Sequence, residues 1–182
     1  DLGKSKEAEF SQRKAIQIKP NFAHAHYTLG NILIDLGKSK EAEISYRKAI
    51  KLNPNLVEVY NNLGNLLIDI GKLKEALILQ KKAIILNPDF YYAHYNLAIS
   101  LKELGKLKEA EVSIRKAIKL KPDFAEAYSH LGNILRDLGN IKEAEKNWLK
   151  AIALNPILIS PVKELASQLY LAKKYKLAIK YL

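Results

Sequence analysis

Residues Asp35-Leu36-Gly37-Lys38-Ser39-Lys40-Glu41-Ala42-Glu43 repeat almost unchanged an opening Asp1-Leu2-Gly3-Lys4-Ser5-Lys6-Glu7-Ala8-Glu9, and return as Glu103-Leu104-Gly105-Lys106-Leu107-Lys108-Glu109-Ala110-Glu111. The glycines of these blocks and of two further ones, Gly3, Gly37, Gly71, Gly105 and Gly139, stand 34 residues apart throughout. A period of that size, in sequence without strand-like alternation, implies stacked helix-turn-helix units. No single unit can bury its apolar face alone, so the units must pile on one another. Such a pile presents a long groove. A binding scaffold is therefore the expected role, with the partner unnamed.

The same interval recovers a full set of marked positions. Small residues recur as Ala8, Ala42, Ala76, Ala110, Ala144 and Ala178, and again as Ala15, Ala49, Ala83, Ala117 and Ala151. Five residues beyond the second set stand Pro20, Pro54, Pro88, Pro122 and Pro156. The first helix of each unit carries Leu29-Gly30, Leu63-Gly64, Leu97-Ala98, Leu131-Gly132 or Leu165-Ala166, preceded at three residues by His26, Tyr60, His94, Tyr128 or Val162. This pattern resembles the tetratricopeptide repeat over essentially the whole chain. The resemblance implies an all-α, right-handed superhelical solenoid of antiparallel helix pairs.

Each marked position has a physical reason of its own. Alanine and glycine remove bulk where two helices of a unit approach closely in a dense interior. Proline lacks an amide hydrogen and keeps the residue before it out of helix, so Asn53-Pro54 and Asn87-Pro88 close one unit and open the next. The turn glycines at 37, 71, 105 and 139 stand where the first helix must stop in a left-handed conformation. Lys173 takes that place in the last unit.

Register gives one array over residues 1–182. It comprises a half repeat at 1–22, full repeats at 23–56, 57–90, 91–124 and 125–158, and a partial repeat at 159–182. An array that starts and ends inside a repeat, with no methionine at residue 1, reads as a piece of a longer protein. Neither end carries the polar capping helix that shields a terminal repeat. Flanking repeats or end-to-end association of chains are the two expectations.

At 48% hydrophobic residues the chain has ample material for a continuous core. No apolar run approaches the ~18 residues of a membrane span. Cysteine is absent, which removes disulfide and thiol chemistry and suits a cytoplasmic setting. The net charge of +11 raises the question of nucleic acid. Lysines follow the turn glycines, as Lys38, Lys72 and Lys106, and a second basic band runs late in each second helix, as Arg13-Lys14, Arg47-Lys48, Lys81-Lys82 and Arg115-Lys116. Glu41, Glu75 and Glu109 lie early in those helices, so the helix dipole and solubility account for most of the pattern. No aromatics are interleaved with these lysines to stack on bases, which argues against nucleic acid.

Function is expected on the inner wall formed by the first helices. Counted from Ala23, Val57, Tyr91 and Ala125, the inward places are roughly the second, fifth, sixth, ninth, twelfth and thirteenth. The fifth and sixth read Tyr27-Thr28, Asn61-Asn62, Tyr95-Asn96 and Ser129-His130, and the ninth reads Asn31, Asn65, Ile99 and Asn133. An amide both donates and accepts, so a row of them can hold the backbone of an extended peptide whatever its sequence. Tyr27, Asn31, Asn61, Asn62, Asn65, Tyr95, Asn96, His130 and Asn133 are the expected partner contacts. A similar asparagine row lines the repeat domain of the O-linked N-acetylglucosamine transferases. Thr28, His130 and Ile99 interrupt it here.

Other constellations carry less. The family's clamp for a terminal carboxylate needs basic residues where this chain has Tyr27, Tyr92 and Asn96. Gly37-Lys38-Ser39 lacks the earlier glycine and the strand of a phosphate loop. His24 and His26 face different sides of a helix, so they make no metal site, and no nucleophile accompanies His130. No active site and no cofactor are expected. Leu77 and Ile85 replace charges on a wet face, which signals either a contact or tighter packing, and Trp148 falls at a core position. The leading reading is a protein or peptide scaffold. The alternatives are the substrate-recruiting arm of a larger glycosyltransferase or sulfotransferase, and self-assembly through the ends.

Overall fold

The computed structural model describes residues 2–171, and every regular element among them is an α-helix. The chain divides into two compact units, Asp1–Pro88 and Asp89–Leu182. The first holds α1 (Leu2–Ile18), α2 (Ala23–Asp35), α3 (Ser39–Leu52), α4 (Val57–Asp69) and α5 (Leu73–Leu86), each packed on the next. The second holds α6 (Tyr91–Glu103), α7 (Leu107–Leu120), α8 (Ala125–Asp137), α9 (Ile141–Leu154) and α10 (Ile159–Leu171), again in serial contact. The places of Lys173 and Ala178 lie outside the described residues.

The turn within each pair is set by its glycine. Gly37 has φ +71°, and its amide donates to the Ile34 carbonyl at 2.9 Å while that of Lys38 donates to Leu33 at 2.8 Å. These two bonds close the helix end and satisfy carbonyls that would otherwise be orphaned. The identical pair of bonds recurs at Gly71, Gly105 and Gly139. Between pairs, the proline place is braced from outside the helix. The Asn53 side chain accepts from the Asn55 amide at 3.0 Å, and Tyr60 donates its hydroxyl to the Pro54 carbonyl at 3.0 Å. His26 donates from Nε2 to the Pro20 carbonyl at 2.9 Å, one period earlier. The large residue of the first helix therefore does more than fill space: it ties the helix to the incoming turn.

Alanines at the two small positions of α3, α5, α7 and α9 are all fully buried. The glycine of the first helix is equally constrained. A Cβ on Gly30 would lie 2.4 Å from the Tyr46 ring, and one on Gly132 would lie 2.4 Å from the Trp148 indole. Where the residue in that place is Ile114, Ala98 is tolerated. Glycine is thus matched to the bulk of a side chain across the turn.

The arginines of the basic band are tied up in a ladder. Arg47 bonds Glu43 in its own helix at 2.7 Å and Glu75 in the next second helix at 2.6 Å, and Lys72 bonds Glu43 at 3.2 Å. Arg13 repeats this with Glu9 and Glu41, and Arg115 with Glu111 and Glu143. Each exposed pair contributes only about 0–1 kcal/mol, and the ladder links one second helix to the next within a unit. On α5 the ladder changes, with Leu77 in the glutamate place and Ile78 and Ile85 exposed at 65% and 72%.

Candidate functional site

In the first unit the inner-wall residues form one hydrogen-bonded chain across α2, α3 and α4. The Tyr46 hydroxyl donates to Asn31 Oδ1 at 2.7 Å. Asn62 donates its amide hydrogens to the same Asn31 oxygen at 3.0 Å and to the Tyr27 hydroxyl oxygen at 3.3 Å, and Asn61 donates to Asn62 Oδ1 at 3.3 Å. Burial pushes the Tyr46 phenol far up, so it stays a donor at any physiological pH. The consequence is that Asn62, expected as the chief ligand contact, spends both its amide hydrogens within the protein. Asn31, by contrast, keeps its N–H₂ group unused among the described residues.

Four candidates therefore come together here: Tyr27, Asn31, Asn62 and Asn65. The three asparagines border a pocket of about 320 Å³ between α2 and α4, whose far end is formed by Asp35 and Asp69, and Tyr27 adjoins it through its bond to Asn62. Asn61 is only 5% exposed and contributes by holding Asn62. Asn65 Oδ1 is out of solvent contact with no partner among the described residues, and so are both amide atoms of the fully buried Gln80.

The second unit presents a different surface. Tyr95 lies 4.8 Å from Phe124 and 5.3 Å from His130, ring centre to ring centre, while Tyr92 meets Phe124 edge-on at 5.5 Å. Tyr91 stacks on Tyr92 at 4.3 Å, and Lys121 sits 5.0 Å over the Tyr91 ring. Burial pushes the Tyr95 phenol up to about 12 and holds His130 below the usual imidazole value, with nearby Lys102 adding to the effect. His130 is thus neutral at physiological pH. Asn96 is 5% exposed. Asn133 accepts from the Trp148 indole N–H at 2.9 Å, the counterpart of the Asn31–Tyr46 bond.

Sequence reasoning missed the partners across the turn. The residue fifteen after the ninth place is Tyr46, Gln80, Ile114 or Trp148, and the ninth place itself is Asn31, Asn65, Ile99 or Asn133. Asparagine occurs with a polar-tipped partner and isoleucine with isoleucine, which explains the break at Ile99. Sequence reasoning marked the thirteenth place as inward without singling out the row of acids there, Asp35, Asp69, Glu103 and Asp137, which recur at the same 34-residue interval. Among the described residues no cluster of three or more metal-ligating side chains exists, and no helix is long and apolar enough to cross a membrane.

The chain is similar to the solved structure of MamA at 27% identity, with 85% of this chain and 90% of that one aligned and a TM-score of 0.77. It shares the fold of YrrB, described as a TPR protein with an unusual peptide-binding site, at 23% identity over 90% of this chain and 84% of that one, TM-score 0.74. PilF of Pseudomonas aeruginosa aligns over 98% of this chain and 82% of its own at 20% identity, TM-score 0.87. No curated protein sequence matches at a significant level. Family profiles described as TPR repeat or tetratricopeptide repeat match residues 1–22, 30–71, 57–90, 91–124 and 125–157. With the capped turns, the small-residue crossings and the proline junctions all in phase with those matches, the chain belongs to the tetratricopeptide-repeat family.

Proposed function

We propose that this protein is a non-catalytic interaction module that captures an extended segment of another protein along its first helices. The observation that carries the reading is the fixed chain Tyr46–Asn31–Asn62–Tyr27, which orients an unused amide donor at the edge of a pocket before any ligand arrives. Preorganised donors lower the ordering cost of binding. The ring group of Tyr92, Tyr95 and Phe124 supports the same reading in the second unit, since aromatic surface favours side chains such as proline or leucine. YrrB, a relative in fold that carries a peptide-binding site, agrees with it. The same surface would serve as a recruiting arm if the chain is joined to a catalytic domain.

The test is selection of peptides from a displayed random library by the 182-residue chain, followed by titration of the best binder. Asn31→Ala and Asn62→Ala are each expected to weaken capture about tenfold, the worth of one to two hydrogen bonds. Unchanged affinity in both variants, with helicity intact, would overturn the assignment.

Association of copies is a second reading, favoured by a row on the second helices of the first unit. Phe10, Ile44 and Ile78 occupy one register place and are exposed at 65%, 69% and 65%. Light scattering over a dilution series distinguishes it: a mass that stays monomeric removes this reading.

A further inference from the structure

We infer that the second helices of the first unit, α1, α3 and α5, dock on the surface of an anionic lipid bilayer. This goes beyond the peptide groove, which lies on the first helices, and does not rest on it.

One triplet recurs in register on these helices. Lys6-Phe10-Lys14, Lys40-Ile44-Lys48 and Lys74-Ile78-Lys82 each place an apolar residue between two lysines at intervals of four. Residues at i, i+4 and i+8 span only about 80° of a helix's circumference, so each triplet forms one strip. Every member of the three strips is exposed. The ion pairs Arg13–Glu41 and Arg47–Glu75 join α1 to α3 and α3 to α5, which sets the strips side by side.

The charge of this face is uncompensated. Its lysines make no ion pair among the described residues, and Lys14 instead sits 5.3 Å over the Phe10 ring. Glu9, Glu41, Glu43 and Glu75 are already held by Lys38, Arg13, Lys72 and Arg47. Glu7 is the one acid of these helices left over. A second copy laid on the same row would set lysine against lysine, so a surface of opposite sign fits better.

Apolar residues flanked by free lysines suit a bilayer interface in particular. The lysines reach lipid phosphates and carboxylates while their stems and the central Phe10, Ile44 and Ile78 settle among the headgroups. The contact is the same on all three helices, which matches a fluid sheet of like headgroups more closely than one shaped protein epitope. A groove of about 440 Å³ opens beside this row, bordered by Ile16, Leu29 and Ile44 and by the cationic Arg13 and Lys48. Hydrocarbon lining next to cations is what one lipid, with its acyl chain and acidic head, requires.

The experiment is flotation of the 182-residue chain with two kinds of vesicle. One is phosphatidylcholine alone and the other is about one-third phosphatidylserine in phosphatidylcholine. Partition into the anionic vesicles is expected to be at least about tenfold stronger and to weaken with added salt. Lys14→Gln, Lys48→Gln and Lys82→Gln together should lower it about a hundredfold. Ile44→Ser with Ile78→Ser should lower it about fivefold, with helicity unchanged. Both variants should still bind the selected peptide as the parent does, which separates this face from the groove. Equal partition into the two kinds of vesicle, or into neither, would overturn the inference. Loss with the lysine variant but none with the isoleucine variant, together with equally tight binding of polyglutamate, would assign the face to an acidic protein and overturn it too.

Discussion

Trp148 donates its indole N–H to Asn133 at 2.9 Å, just as Tyr46, three repeats earlier, donates its hydroxyl to Asn31 at 2.7 Å. In both places a glycine, Gly132 or Gly30, makes room for the ring. Glycine, asparagine and aromatic residue thus form one structural unit spread over two helices. Gly132→Ala forces a Cβ into the indole and is expected to destabilise by about 1–3 kcal/mol. Added to Trp148→Ile, the same change should cost about 1 kcal/mol less than it does alone, because Ala98 already accompanies Ile114. Urea unfolding of the four proteins in that cycle decides it, and additive losses would contradict the match.

Gln80 occupies the place of Tyr46 and Trp148, fully buried, with neither amide atom bonded among the described residues. An unsatisfied buried amide costs roughly 1–3 kcal/mol. Gln80→Tyr would set a hydroxyl where Asn65 Oδ1 lacks a donor, and Gly64 leaves the ring space. A gain of about 1 kcal/mol in denaturant unfolding is expected. A loss would show that the amide is satisfied in solution.

His130 is buried enough that its folded pKa falls below the usual 6.5. Protonation therefore favours the unfolded chain. The stability that the neutral ring allows is complete above about 6.5 and drains away as pH falls toward the lowered folded value. His130→Asn, which restores the residue of the Asn62 and Asn96 places, should flatten that acid slope. Thermal unfolding between neutral and mildly acidic pH measures it, and parallel curves would refute the claim.

Gly105 has φ +73° with open space around its Cβ position. Gly105→Ala should cost about 1–2 kcal/mol from backbone conformation alone, with no clash to relieve. Calorimetry would show the lowered midpoint, and an unchanged one would mean the turn can relax.

The helices, turns and junctions were legible in the sequence because their causes are local and return with every repeat. Gly37 must turn, Pro54 must interrupt, and Ala42 must be small, each within a few residues of its effect. The inner wall was legible only as a direction. Periodicity shows that Asn31 and Asn62 face one way, but their hydrogen-bond partners come from other helices. Asn62 meets Tyr27 across a repeat, and Asn31 meets Tyr46 across a turn. Those partners decide which amides remain for a ligand. The basic band likewise reads as helix-end chemistry until Arg47 is seen reaching Glu75, 28 residues on.

Hydrogen-exchange mass spectrometry of the full chain with a selected peptide tests the central claim most directly. The account predicts new protection within the first unit along α2 and α4, centred on Asn31 to Asp35 and Asn62 to Asp69. Protection confined to α3 and α5, around Ile44 and Ile78, would place the ligand on the opposite helices and contradict it.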